Sequence, residues 1–211
     1  TVKAGQKCTA VRRIMVPENV MEDVQIALGQ RLAKTTIGDP QVEGVRMGSL
    51  ATKIQIDRVK ESVERLAKSQ ELVFGDFEKF DVTGADKNKG AFFSPMLFRN
   101  DKPFQNTDVH EIEAFGPVST LMPYKSLDEA IELTEMGKGS LVTSIITADD
   151  QIAKEFVVNA AHTNGRILVL NEKCAKESTG HGSPMPMLTH GGPGRAGGGE
   201  EMGGKRGVLH Y

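Results

Sequence analysis

The sequence predicts an α/β fold, with a mostly parallel sheet covered by helices on both faces. Three observations carry that prediction. After Tyr124, apolar strand-like runs alternate with helical patterns of about ten to fifteen residues, the mark of crossover units. Earlier, two segments repeat apolar residues at helical spacing, separated by runs that read as strands. Finally, 38% hydrophobic and 26% charged residues in a 211-residue chain describe an ordinary globular protein, with a sizeable core in one domain or two.

Taken in order, "RRIMV" from Arg12 to Val16 reads as a strand, and Pro17 as the opening of a helix. Val20, Val24, Ala27, Leu28 and Leu32 give that helix one apolar face, and Gly38, Asp39 and Pro40 break the pattern. A second helix is predicted over about Thr52 to Ser69, on the period of Ile56, Val59, Val63 and Leu66. Three strands follow in "ELVFG", "GAFFSPMLF" and "VSTLMPY". Ser126 with Glu129 is a capping-box signature, opening a helix that buries Leu127, Ala130, Ile131 and Thr134. "SLVTSIIT" reads as a buried strand, and Thr147 or Asp149 then caps a helix with Ile152, Phe156 and Ala160 on one face. "RILVLN" closes the series as an apolar strand. The Gly-rich segment 178–207 has nine glycines in its last seventeen residues, so it reads as loop. Met185, Met187, Leu188 and Met202 within it, with Val208 and Tyr211 just beyond, exceed a linker's apolar needs, so the loop is expected to be ordered.

Charge and cysteine usage narrow the function. The 26 basic and 28 acidic residues are spread along the chain, with no basic cluster for nucleic acid or an anionic membrane surface. No apolar run approaches membrane-spanning length and no secretory segment opens the chain. Two cysteines cannot frame a small secreted fold, so a reducing, cytoplasmic setting is expected. The start at Thr1, without methionine, is read as that of a fragment.

Several chemical motifs fail on context. Gly192, Gly194 and Gly197 match the dinucleotide pattern Gly-x-Gly-x-x-Gly, but two prolines precede it and no helix is predicted after it. The histidines at 110, 162, 181, 190 and 210 show no paired metal-ligand spacing with each other or with Cys8 and Cys174, so no metal is expected. His110 and His162 read as surface residues. Cys174, in the polar run "NEKCAKES", reads as an incidental exposed thiol. Cys8 differs, because Gly5, Gln6, Lys7, Thr9 and Ala10 around it are small or polar rather than core-like. Such a turn admits a substrate carbonyl to the sulfur and lets the Cys8 N–H donate to an oxyanion. The charge of Lys7 favours the reactive thiolate. Spacing alone leaves a nucleophile and a structural cysteine both open.

Four motifs, in order along the chain, carry a family resemblance. "GQKCTAVRR" resembles the catalytic-cysteine segment of the aldehyde dehydrogenase superfamily, and "EAFGPV" resembles its second signature. "GAFFSPMLF" and "RILVLN" are similar to two of its strands. Together they cover essentially the whole chain. The Gly-rich ending from Glu177 resembles the dehydrogenase half of the bifunctional ring-opening proteins of aerobic phenylacetate degradation.

The resemblance implies the family's catalytic domain, with Cys8 as the nucleophile that passes through a thiohemiacetal and a thioester. It implies NADP or NAD as acceptor and a small CoA-linked semialdehyde as substrate. Glu113 matches the residue that binds the nicotinamide ribose and Phe115 the one packed near the nicotinamide ring. Without the motif, Glu113 reads as a solvated acid and Phe115 as a core aromatic. Lys7, Thr9 and Leu170 are the weaker candidates for lining the substrate. The family's dinucleotide-binding domain, general-base glutamate and oxyanion asparagine would all precede Cys8, so the chain is expected to be inactive alone. A homo-oligomeric parent with a fused hydratase-like domain is also implied. A CoA-acylating relative and a non-catalytic scaffold stand as alternatives.

Overall fold

Two sheets organise the chain in the computed structural model, which describes residues 1–182, 188, 190–198, 205, 208 and 209. The chain divides into two units, Thr1–Lys125 and Ser126–Tyr211. In the first unit, strands β1 (Arg13–Pro17), β2 (Glu71–Phe74), β3 (Met96–Arg99) and β4 (Val118–Tyr124) form a sheet in the order β1-β4-β3-β2. β1, β4 and β3 run parallel, and β2 is an antiparallel edge with an irregular register after Leu72. Two helices of this unit, α1 (Met21–Ala33) and α2 (Lys53–Leu66), cover opposite faces of the sheet, and a four-residue turn of helix, α3 (Asp108–Glu111), precedes β4.

Strand alternation explains that layering. Successive side chains point to opposite faces. Met96, Phe98 and Val118 therefore meet Val59, Val63 and Leu66 of α2. Leu97, Leu121 and Val16 meet Val24, Leu28 and Leu32 of α1. Near-continuous apolar runs in β3 and β4 are what a sheet buried on both faces requires.

Three expectations change in this unit. Pro17 ends β1 instead of opening the helix, because a short 3-10 turn (Glu18–Val20) intervenes. Met21, at the true helix start, is buried with Val24, Leu28 and Leu32, while Val20 and Ala27 are exposed. "GAFFSPMLF" pairs as a strand only from Met96; Ala91 and Phe93 are buried in the core without joining the ladder.

The second unit holds α4 (Leu127–Glu135), β5 (Ser140–Ile146), α5 (Asp150–Ala160) and β6 (Asn164–Leu170). β5 and β6 form a parallel pair. Ser126 Oγ accepts the Glu129 N–H at 3.2 Å, as the capping signature requires. Asp149 caps α5 by accepting the N–H groups of Gln151 and Ile152, and Thr147 accepts the Asp149 N–H. Ile131, Phe156 and Ala160 form the core with Leu127, Ile145 and Ile167.

"SLVTSIIT" is not buried as expected. Its residues are half-buried and Ile146 is 80% exposed, because the core reaches only the Ile145–Ile167 side of the pair. Ile152 is also exposed, as it lies at the rim of α5. β6 begins at Asn164, two residues before "RILVLN", and ends before Asn171. Cys174 is half-buried, not exposed, and its Sγ accepts the Asn171 N–H at 3.3 Å. His162 is a surface residue near Glu135, at 3.4 Å.

The glycines of the dinucleotide-like pattern have a structural use. The segment from Gly191 to Gly194 passes over the starts of β5 and β6, where Cβ atoms on Gly139 and Gly165 would collide with the Pro193 and Gly191 carbonyls. Backbone crosses backbone there, and side chains have no room. In the Gly-rich segment and just beyond it, Leu188 and Val208 are exposed, and Met185, Met187, Met202 and Tyr211 lie outside the described residues. Among the described residues, no helix is long and apolar enough to cross a membrane.

Candidate active site

Cys8 sits exposed in a turn closed by the Ala10 N–H donating to the Lys7 carbonyl at 2.9 Å. Lys7 is half-buried beside it, and Thr9 is buried at 4% exposure. The approach to this turn is tightly constrained. Lys3, Ala4 and Gly5 pass through left-handed conformations with φ of 51°, 51° and 70°. Non-glycine residues in that region cost about 1–3 kcal/mol each and persist only where the surroundings hold them. Ala4 is held by burial in the main core. Gly5 is pressed against the Gly116 carbonyl, where a Cβ would collide.

Gln6 supplies a second link. Its Nε2 donates to the Phe115 carbonyl at 3.1 Å, and its Oε1 accepts the Ala51 N–H at 2.7 Å. One side chain thus ties the cysteine turn to both the "EAFGPV" segment and the entry to α2.

That segment is extended, and its alternation does the positioning. Ile112 and Ala114 point into the core at 6% and 5% exposure, so Glu113 and Phe115 project outward on the other side. Phe115 is 42% exposed, which removes its reading as a core aromatic. An acid and an aromatic ring therefore stand on one side of a strip that is bonded to the cysteine turn.

Two arginines complete the arrangement. Arg12 Nε lies 3.9 Å from Glu113 Oε1, a partly exposed pair worth no more than about 1 kcal/mol. Arg13 Nη1 is 3.0 Å from His110 Nδ1, and His110 Nε2 is 3.0 Å from the Pro103 carbonyl. A carbonyl can only accept, so Nε2 carries the proton and Nδ1 accepts from the guanidinium. His110 is 2% exposed, not the surface residue its sequence context implied.

Burial lowers the His110 pKa from 6.5 to about 4, with the neighbouring Arg13 charge pushing the same way and the Pro103 bond and Glu111 opposing. Between those two pH values the unfolded chain binds the extra proton. The stability held in neutral His110 is therefore full above about pH 6.5 and is lost as pH falls to about 4, by about 3 kcal/mol. Urea midpoints of wild type and His110→Phe across that window check this. The difference between them should shrink toward acid pH, and parallel curves would refute it.

The first unit thus joins the turn of Lys7, Cys8 and Thr9, through Gly5 and Gln6, to the strip that carries Glu113 and Phe115. Leu170, the remaining candidate, is half-buried at the end of β6 in the second unit. Sequence reasoning missed Gln6, Arg12, Arg13 and His110 as site residues. Adjacent arginines at the start of a strand were the one visible signal. Among the described residues, no group of three histidine, cysteine, aspartate or glutamate side chains could hold a metal ion.

Comparison with known proteins first defines the fold. The HpcC protein from Thermus thermophilus superposes with a TM-score of 0.83 at 24% identity, covering 99% of this chain and 38% of that one. A betaine aldehyde dehydrogenase from Staphylococcus aureus superposes with a TM-score of 0.82 at 23% identity, covering 98% of this chain and 39% of that one. Residues 1–211 also match the model of the aldehyde dehydrogenase family, and the chain belongs to that family. "Protein MaoC" of Klebsiella aerogenes is 49% identical over 166 residues, 78% of this chain and 48% of the relative. The 3,4-dehydroadipyl-CoA semialdehyde dehydrogenase of Aromatoleum evansii is 39% identical over 193 residues, 92% of this chain and 38% of the relative. The matched part of this chain therefore spans less than half the length of either.

Proposed function

We propose that the protein carrying this chain is an NAD(P)-dependent aldehyde dehydrogenase, that residues 1–211 form its catalytic domain, and that its substrate is a CoA-linked semialdehyde. The observation that carries the reading is the outward pair Glu113 and Phe115 on a strip bonded through Gln6 to the turn of exposed Cys8.

The Cys8 sulfur forms a bond to the aldehyde carbon, and the carbonyl oxygen takes the negative charge, held in part by the Cys8 N–H. Bound NAD(P)+ supplies the hydride acceptor. Loss of the hydride from the substrate carbon leaves a thioester on Cys8. Water, giving up one proton to the water-activating base, adds to that carbon, the C–S bond breaks, the carboxylic acid leaves and the thiolate returns. Glu113 would accept hydrogen bonds from the ribose hydroxyls of the bound nucleotide, and Phe115 would offer a flat apolar face to its nicotinamide. These residues suit the nicotinamide end of the cofactor alone. Gly192–Gly197 runs as a backbone crossing with no strand-to-helix turn for a pyrophosphate. The rest of the cofactor and the water-activating base are assigned to residues beyond this chain.

The activity named for the Aromatoleum evansii relative supports the substrate class. The resemblance of the Gly-rich ending is what supports a step of phenylacetate degradation, by a cytoplasmic homo-oligomer fused to a hydratase-like domain. The test is oxidation of a CoA-linked semialdehyde by the full-length protein with NADP+ or NAD+. Free carboxylate formed without added CoA is expected, and the isolated 211-residue chain is expected to show no turnover. A product that requires free CoA and retains it as a new thioester would replace this reading with the acylating one.

A further inference from the structure

Arg12 and Arg13 are consecutive residues four and five positions after Cys8, and both reach the short segment 110–113. Arg12 meets Glu113 in a partly exposed pair at 3.9 Å, whereas Arg13 meets buried His110 at 3.0 Å. His110 is nearly inaccessible and uses both ring nitrogens, one toward Arg13 and one toward the Pro103 carbonyl. It also lies in the four-residue turn α3, whose C-cap, Ile112, is already extended, with φ −85° and ψ 123°. The place where His110 is held therefore sets where the extended strip begins and which residues of it point outward. A surface pair between long side chains leaves Glu113 free to swing, but a buried, doubly bonded imidazole does not let its backbone drift.

We propose that Arg13 and His110 are positioning residues for Glu113, forming a buried strut between the strand that follows Cys8 and the strip that carries the acid. The proposal rests on the reading of Glu113 as the nicotinamide-ribose ligand. The strut acts on cofactor affinity through Glu113 and leaves the sulfur's own reactivity alone. A residue needed only for folding would alter stability and labelling together, without singling out the nucleotide.

The test is steady-state kinetics of the full-length protein with His110→Phe, which keeps a planar ring, somewhat larger than imidazole, and removes both nitrogens. KM for NAD(P)+ is expected to rise about tenfold, at the level of one lost charge-assisted hydrogen bond. Iodoacetamide labelling of Cys8 should stay within about twofold of wild type, on the order of RT ln 2 in barrier. His110→Asn, which restores an acceptor toward Arg13, should recover part of the loss. Adding His110→Phe to Glu113→Gln should raise KM no further than Glu113→Gln does by itself. If His110→Phe fails to fold, Arg13→Met reads the same strut from its other end. An unchanged nucleotide KM in the His110 and Arg13 variants, or effects that multiply fully with Glu113→Gln, overturns the strut. An unchanged KM in Glu113→Gln itself overturns instead the assignment of Glu113, and the strut's purpose with it.

Discussion

Replacing Cys8 by alanine in the full-length protein is expected to abolish aldehyde oxidation, lowering kcat by a factor on the order of 10⁴ or more. Every covalent intermediate of the proposed cycle is bonded to that sulfur, so no other group can share the loss. Cys174, the second of the two cysteines, lies in the other unit, half-buried with its sulfur accepting the Asn171 N–H. Nucleotide binding should survive, because Cys8 is an exposed turn residue whose removal takes nothing from the core. Turnover and equilibrium binding of NAD(P)+ measured on the same preparation separate the two effects. Activity within about tenfold of wild type would remove Cys8 from the mechanism.

Gly5→Ala is expected to destabilise the folded protein by about 3–5 kcal/mol. At φ of 70° an L-residue loses about 1–2 kcal/mol. The larger share comes from the collision of the new Cβ with the Gly116 carbonyl, which is backbone and cannot rotate aside. Gly44→Ala is the matched control. It has φ of 85° but open space around it, so it should show the conformational cost alone. Urea midpoints of the two variants give the difference, and equal losses would mean that the Gly5–Gly116 contact contributes nothing. The same collision displaces the cysteine turn from the "EAFGPV" strip, so Gly5→Ala should also weaken cofactor affinity where Gly44→Ala does not.

These two predictions draw on different kinds of information. Cys8 was legible as a candidate because its neighbours were unsuited to a core, and the motif resemblance then chose between its readings. The Gly5 contact was not legible. A glycine ahead of the cysteine was plain, but its partner, Gly116, lies far along the chain, and no local pattern names a partner at that distance. Gln6 is the same case, bonding to Phe115 across 109 residues. His110 misled for a related reason. A histidine among Asp108, Glu111 and Glu113 has a polar local context, and its burial depends on Arg13 and Pro103 arriving from elsewhere.

Elements set by their own neighbours were readable. The apolar face of α2, with Val59, Val63 and Leu66 buried, follows from helical spacing alone, as do the Ser126 and Asp149 caps. On α1, Val24, Leu28 and Leu32 were read correctly, but the start was misplaced because it depends on where β1 releases the chain, and Pro17 suits either a strand end or a helix start. "SLVTSIIT" was read as buried because its composition suits burial, whereas its actual exposure depends on what covers each face.

By itself, then, the sequence determined the α/β alternation, the helix that backs the site, the candidate nucleophile and the family motifs. All of these depend on residue type and short-range spacing, where steric and hydrogen-bonding rules act within a few residues. Only the tertiary structure decided that Phe115 faces outward beside Glu113, that Gly5 and Gln6 bind the cysteine turn to that strip, and that Arg13 reaches buried His110. Each of those is a contact between segments brought together by closing the sheet, and its energy exists only once both sides are in place.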